Sequence, residues 1–241
     1  RYLIGADGIL SDVRTGLGIH WEGTRDPIPL FVTDCQVNEI PKDEESGGTA
    51  SIGEPGNNII FSISKKSIAG FFPLEGESWR IDSLIPGENT KKREINFEDA
   101  TRDLGGKLKM NVVLQNPDWF SVFYPNTYLA STFGSGRCFL VGDAAHVHTP
   151  IGAQGMNTGL QDSYNLAWKM AYVLRQGVSE SLLKTYTLER RPVAEKLIQS
   201  TDRYFSLAIR KDFPSRLVRN HLVPWTFRLF HTLLSSRPLQ R

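Results

Sequence analysis

Residues 137–159, RCFLVGDAAHVHTPIGAQGMNTG, carry the reading that decides the fold. Phe139, Leu140 and Val141 form a short apolar run of the kind buried in a parallel sheet. Gly142-Asp143 ends that run where α/β sheets place their ligands. Gly152, Gly155 and Gly159 then let the backbone approach a flat ligand with no Cβ in the way. The following helix starts with N–H groups that lack intrahelical acceptors and can donate to electron-rich oxygens. Strand, glycine-rich turn and helix N-terminus together predict a cradle for an anionic cofactor, with the chemistry at Asp143 and just after it.

A second informative stretch opens the chain. Tyr2-Leu3-Ile4-Gly5-Ala6-Asp7-Gly8, with Ser11, Val13 and Arg14 after it, reads as another short strand and turn. Taken alone, Asp7-Gly8 between apolar runs is a hairpin-turn signal. Asp143 taken alone is a helix-capping residue.

Together the two stretches resemble a known family. Gly142-Asp143-Ala144-Ala145-His146, then Pro150, Gly152-Ala153-Gln154-Gly155-Met156-Asn157 and Gln161-Asp162, closely resemble the second FAD fingerprint of the flavoprotein aromatic hydroxylases. These are the single-component FAD monooxygenases of the para-hydroxybenzoate and phenol hydroxylase type. The opening stretch resembles that family's DG motif, which is associated with both FAD and NAD(P)H. The motifs stand in the family's order, roughly 135 residues apart, and the resemblance continues through Tyr186 and Glu189-Arg190-Arg191-Pro192-Val193-Ala194 to about Leu207.

The fold implied is mixed α/β: an incomplete Rossmann-like FAD/NAD(P)-binding domain with an inserted antiparallel β-sheet domain for substrate and C-terminal helices. Residues 1–24 are expected in the FAD domain, 25–136 in the substrate sheet, 137–207 back in the FAD domain and 208–241 in a C-terminal helical segment. The family's opening G-x-G-x-x-G turn is absent, so the chain reads as a piece of a longer protein. The cofactor-binding residues implied are Asp7, Gly8, Arg14, Gly142, Asp143, Pro150, Gly152, Gln154, Gly155, Met156 and Asn157.

The reaction implied inserts one oxygen atom of O₂ into an electron-rich, phenol-like ring, with FAD reduced by NADPH in preference to NADH and a flavin hydroperoxide as the oxygen donor. Phe71, Phe72, Trp119, Phe120, Phe123, Tyr124 and Tyr128 come from segments able to face the ring, and alternation does not say which do. Tyr124 and Tyr128 are the candidate substrate-contacting hydroxyls. Many family members carry Arg where this chain has Tyr128, so that contact does not carry over. No catalytic base is assigned. An inactive fragment or pseudoenzyme, and a related epoxidase or halogenase, stand as alternatives.

Periodicity fills in the remainder. Phe31, Thr33, Cys35 and Val37 alternate, as do Ile59, Phe61 and Ile63, then Trp79, Ile81 and Ile85, which predicts an antiparallel sheet with an exposed hairpin loop at 42–48. Asn96 caps a predicted short helix from Phe97 to Leu104, and Trp119 to Tyr124 resumes the strands. From Gln154 to Gly177 the period is helical, with Met156, Leu160, Tyr164, Trp168, Ala171 and Leu174 on one face, and Tyr164 and Trp168 assigned to core packing. Ser179 caps a second helix that Pro192 should kink or break.

A net charge of +2 over 241 residues favours neither nucleic acid nor acidic partners. The partners expected are a small aromatic molecule and O₂, with a homodimer left open. His146 and His148 have no acidic or thiol partner at ligand spacing, so no metal site is expected. Two isolated cysteines fit a reducing, intracellular setting, most simply the cytoplasm. From Arg203 onward eight Lys/Arg face a single acid, Asp212, amid apolar residues. Pro214 and Pro224 keep any helix there short, which favours packing over a membrane anchor.

Overall fold

The computed structural model of the chain describes residues 1–38, 49–52, 59–64, 67–85, 94–108, 111–150 and 154–209. The expected loop at 42–48 and the C-terminal segment beyond Ile209 lie outside them. Among the described residues no helix is long and apolar enough to cross a membrane. The chain divides into two units, one of Arg1–Asp26 and Pro125–Ser206, the other of Pro27–Tyr124 and Leu207–Arg241.

In the first unit, β1 (Leu3–Gly5) runs parallel to β11 (Cys138–Leu140), with Leu3 opposite Cys138 and Gly5 opposite Leu140. The short β10 (Gly134–Ser135) adds antiparallel to the far side of β11. The Val141 amide extends the ladder by donating to the Gly5 carbonyl at 3.0 Å, so Ala6-Asp7 and Gly142-Asp143 leave the sheet side by side. A second sheet joins β2 (Trp21–Arg25), β9 (Asn126–Ala130) and β12 (His146–Val147), all antiparallel. This pairing corrects the expected boundary at 136. Residues 125–136 belong with the first unit, because β9 and β10 find their hydrogen-bond partners there.

Gly23 lies opposite Tyr128 in the β2–β9 pair, and a Cβ at that position would collide with the Thr127 carbonyl oxygen. Three helices complete the unit: α1 (Asp12–Gly16), α4 (Gly155–Gln176) and α5 (Ser181–Ile209). Gly177, at φ +67°, ends α4 in the left-handed conformation that the sequence predicts there. The Ser179 hydroxyl accepts from the Ser181 amide at the start of α5, which continues through Pro192 as helix instead of breaking there.

The inward face of α4 departs from the hydropathy pattern. Thr158, Asp162, Leu166, Lys169 and Met170 are buried, while Met156 and Tyr164 are each 77% exposed and Leu160, Trp168 and Leu174 are also exposed. Tyr164 and Trp168 are therefore not core residues among the described part of the unit. The physical reason is pairing with α5. Lys169 Nζ donates to Glu189 at 2.7 Å and to the Thr185 hydroxyl at 2.8 Å, and Asp162 meets Arg190 at 2.7 Å. A buried charge that is paired and hydrogen-bonded can occupy a core position.

The second unit is a six-stranded antiparallel sheet in the order β4 (Thr49–Ile52), β5 (Ile59–Ile63), β6 (Ile68–Pro73), β7 (Ser78–Leu84), β3 (Leu30–Val37) and β8 (Leu114–Phe123). One face packs with the short helices α2 (Phe97–Thr101) and α3 (Leu104–Leu108) around Phe31, Cys35, Phe71, Ile81 and Ile85. Each fully buried side chain of that size contributes about 1.5 to 3 kcal/mol. Burial pushes the Cys35 thiol up to about 11.

The single helix expected over 97–104 is two pieces. Asn96 caps the first by accepting from the Asp99 amide at 2.8 Å, and Asp103, at φ +56°, breaks the run. In β5 the alternation is offset by one, since Ile60 and Ser62 are buried and Ile59 and Phe61 are only half-buried. Cross-strand contact decides this, because Ile60 faces the fully buried Phe71. β8 starts at Leu114, earlier than expected, and carries a bulge where Asn116 takes φ +48°.

The fully buried Tyr186 donates from its hydroxyl to the Leu140 carbonyl at 2.7 Å, fixing α5 to the end of β11. Tyr186→Phe leaves that carbonyl buried without its partner, so it should lower unfolding free energy by about 1 to 3 kcal/mol. Urea denaturation of the two proteins measures the difference.

Candidate functional site

The two sequence motifs meet at the carboxyl end of the parallel pair. Gly8, at φ +79°, turns the chain after Asp7 into α1, not into a hairpin. The Ser11 hydroxyl caps that helix by accepting from the Arg14 amide at 3.0 Å. The Asp7 carboxylate accepts from the Val13 amide at 3.2 Å, and the Ser11 hydroxyl together with backbone donors holds its pKa below the usual carboxylate value. Asp7 is exposed, so a ligand has access to it.

Arg14 is buried and bridges the two motifs. Its guanidinium donates to the Ala144 carbonyl at 2.9 Å and to the Ile9 carbonyl at 2.8 Å. It also lies over the Trp21 ring at 3.8 Å, and Tyr128 stacks on that ring at 5.4 Å and 3°. Burial lowers the Arg14 pKa, partly offset by Asp7. Tyr128 is thus the outer layer of a stack in the first unit, while Tyr124 is the last residue before the chain leaves the second.

After β11 the chain makes a single 3₁₀ turn over Gly142–Ala144. Gly142 has φ +57°, and a Cβ on Gly159 would stand 3.3 Å from the Gly142 Cα, so turn and helix backbones touch where neither residue has a side chain. Asp143 is exposed and caps nothing among the described residues, and its carboxylate has no hydrogen-bond partner there. This removes the capping role as an explanation for it.

Beyond β12, His148 Nδ1 lies 2.7 Å from the Thr149 carbonyl, while His148 Nε2 and the Thr149 hydroxyl are buried without partners. Pro150 is exposed, and Gly152 falls outside the described residues. Gln154 precedes α4 without capping it through its side chain, so the first N–H groups, at Gly155, Met156 and Asn157, have no side-chain acceptor among the described residues. Gln154 and Asn157 border an open depression of about 690 Å³ between α4 and α5, with Val193 and Leu197 on its other wall.

Behind this surface stands a network that the site assignment from sequence omitted. Asp162, fully buried, accepts from the Gly142 amide at 3.2 Å and contacts His146 Nε2 at 2.6 Å and Arg190 Nε at 2.7 Å. His146 stacks on Phe133, and Arg191 reaches the Ala130 carbonyl at 3.1 Å. In the sequence Asp162 shares a helix face with Lys169 and reads as a solvated position, so no local signal marks it as buried.

An anionic, ribose-linked flat cofactor fits these groups. The glycine contact leaves backbone unscreened, the α4 N-terminus offers donors, and among the described residues the Asp143 carboxylate has no partner and buried polar atoms at His148 and Thr149 lack partners.

The comparisons agree with this chemistry. A family model described as FAD binding domain matches residues 1–201. The 6-methylpretetramide 4-monooxygenase of Streptomyces rimosus is 34% identical over 246 residues, covering 100% of this chain and 40% of that protein. The pentachlorophenol 4-monooxygenase of Sphingobium chlorophenolicum is 34% identical over 207 residues, 83% of this chain and 35% of that one. Among solved structures, the OxyS anhydrotetracycline hydroxylase from Streptomyces rimosus superposes with a TM-score of 0.68 at 27% identity, covering 95% of this chain and 43% of its own. The Diels-Alderase PyrE3 gives 0.72 at 25% identity, with coverages of 95% and 46%. The chain spans about 40% of the length of the first of these curated relatives. With its mixed α/β fold, its two motifs side by side and the match over residues 1–201, the chain belongs to the FAD-binding domain family whose members include FAD-dependent aromatic monooxygenases.

Proposed function

We propose that the chain forms the flavin-cradling and substrate-bearing part of a monooxygenase that inserts one atom of O₂ into a phenol-like aromatic ring, with NAD(P)H, preferentially NADPH, as reductant. One observation carries this reading. Asp143 presents a carboxylate with no partner among the described residues, at the end of a parallel strand, beside the Gly142–Gly159 contact and the start of α4, which Gln154 does not cap through its side chain. When bound, FAD supplies the redox chemistry and the activation of O₂.

The protein's own residues bind and orient. Asp143 would accept hydrogen bonds from the ribityl hydroxyls. The amides of Gly155, Met156 and Asn157 would donate to the pyrimidine edge of the flavin ring, where a helix N-terminus favours negative charge by about 0.3 to 1 kcal/mol. Pro150, Gly152 and Gln154 would line the same turn. Asp7 and Gly8 would guide the nucleotide, and Arg14 would act through its brace on Ala144.

A second reading, in which this fold serves a reaction other than hydroxylation, is favoured by the similarity to a Diels-Alderase. Mass analysis of products formed under isotopically labelled O₂ separates the two. Hydroxylation requires one labelled oxygen per product, and its absence from a converted substrate overturns the proposal.

Two carboxylates, Asp143 on the turn and Asp162 behind it on α4, should behave oppositely. Asp143→Ala removes a charge-assisted bond to cofactor and should weaken FAD retention roughly 10- to 150-fold while leaving the melting temperature of the FAD-free protein unchanged. Asp162→Ala strands the buried Arg190 guanidinium and should cost about 3 to 5 kcal/mol of stability before any cofactor is added. Flavin absorbance after dialysis, with thermal melts of FAD-free protein, tests both. Asp7→Ala should slow reduction by NADPH in stopped flow more than it weakens binding of an aromatic ligand. Unchanged reduction with normal FAD content would leave Asp7 only its bond to the start of α1.

A further inference from the structure

The face of the six-stranded sheet opposite α2 and α3 carries a row that cross-strand register fixes: Phe61, Gly70, Asp82, Val32 and Ser121 stand side by side across β5, β6, β7, β3 and β8. All but one are apolar or neutral. Asp82 is the exception, half-buried at the centre of the sheet. Gly70 beside it is bare, and a Cβ there would stand 2.9 Å from Asp82 Oδ1 and 2.8 Å from the Phe72 ring, so the carboxyl leans into the space that a side chain would fill. Phe72 and Phe61 meet edge to face at 5.8 Å and 89°, making an aromatic wall next to it.

The other charges on this face are already committed. Arg80, two residues along β7, is held by Asp34 of β3 through two bonds of 2.8 Å. β6 contributes Ile68, Gly70 and Phe72 to this face, and β8 contributes Trp119, Ser121 and Phe123, none of them charged. Among the described residues no side chain pairs with Asp82. Burial pushes its pKa up to about 6, so it titrates near neutrality.

We infer that Asp82 is a specificity-determining carboxyl that accepts a hydrogen bond from the ring hydroxyl of a neutral aromatic molecule lying on Phe61 and Phe72, and that it excludes aromatic carboxylates from that face. The inference rests on the reading that this sheet bears the substrate. A lone carboxylate in an apolar wall gains from an O–H donor and repels a like charge, whereas protonation removes the repulsion. Selectivity by ring substituent follows, with phenols and polyphenols admitted and benzoate-like acids rejected.

Matched probes test it: 2-naphthol and 2-naphthoate binding to the FAD-loaded protein, followed by calorimetry and by perturbation of flavin absorbance. Wild-type protein should prefer 2-naphthol, and the preference should rise several-fold between pH 5 and pH 7.5 as Asp82 ionises. Asp82→Asn should weaken 2-naphthol about 10-fold or more, tighten 2-naphthoate, and flatten the pH dependence while FAD content stays constant. If Asp82→Asn does not fold, the wild-type pH profile alone decides. A wild-type preference that persists in Asp82→Asn, or that is independent of pH across this range, overturns the role of Asp82 and leaves the proposed function standing. Binding of neither probe to flavin-loaded wild-type protein overturns both.

Discussion

The Asp162 carboxylate is the contact on which the surface of the candidate site depends. It sits at zero exposure on α4 and reaches three elements at once: the Gly142 amide of the turn, His146 of β12 and Arg190 of α5. Burying a carboxylate costs several kcal/mol unless its charge and lone pairs are answered, and here a guanidinium, an imidazole and an amide answer them. Those partners are also the pieces that must be held in register for Gly142 and Gly159 to approach. The turn is thus fixed from behind by a side chain, and its outer surface is left as backbone and one carboxylate, Asp143, with no partner among the described residues.

Arg14 performs the corresponding task between the two motifs. The parallel pairing of β1 with β11 sets Asp7 and Asp143 at the same end of the sheet, and the guanidinium bond to the Ala144 carbonyl ties the two loops together. Stacked on Trp21, with Tyr128 as the next layer, Arg14 is placed by packing as much as by charge. Residues that a motif marks as cofactor-binding therefore divide into those that present groups outward, such as Asp143 and the start of α4, and those that hold the presenting backbone, such as Arg14.

The legible parts of the sequence were those in which one local rule dominates. The apolar run at 139–141, Gly142-Asp143, the Asn96 cap and the Gly177 stop each follow from backbone geometry at a few residues, and each is present. The inward face of α4 was not legible, because hydropathy counts Asp162 and Lys169 as exposed while their partners on α5 lie 16 to 28 residues away. The register of β5 failed for a related reason: Ile59, Ile60, Phe61 and Ile63 are all apolar, so alternation is ambiguous until Phe71 selects Ile60. The extent of the first unit was misjudged at 125–136 because strand pairing across more than 100 residues, Trp21 with Ala130, leaves no local trace.

The same contrast explains why FAD could be read from the sequence and the identity of the proposed aromatic substrate could not. The cradle in the first unit is built largely from backbone, which demands glycines and short turns at fixed spacing and so writes itself into a motif. The face of the sheet opposite α2 and α3 is built from side chains, and a strand motif says only that alternate residues share a face. Which face is covered is decided by Ala100, Leu104 and Leu108 on α2 and α3, which take Phe31, Phe71 and Ile81 inward and turn Phe61, Phe72 and Asp82 to the other side. The selectivity proposed for the sheet would therefore be a consequence of how its back is packed. A substitution in that hydrophobic core that slipped one strand by a single residue would exchange the two faces and erase the site without touching any residue in it.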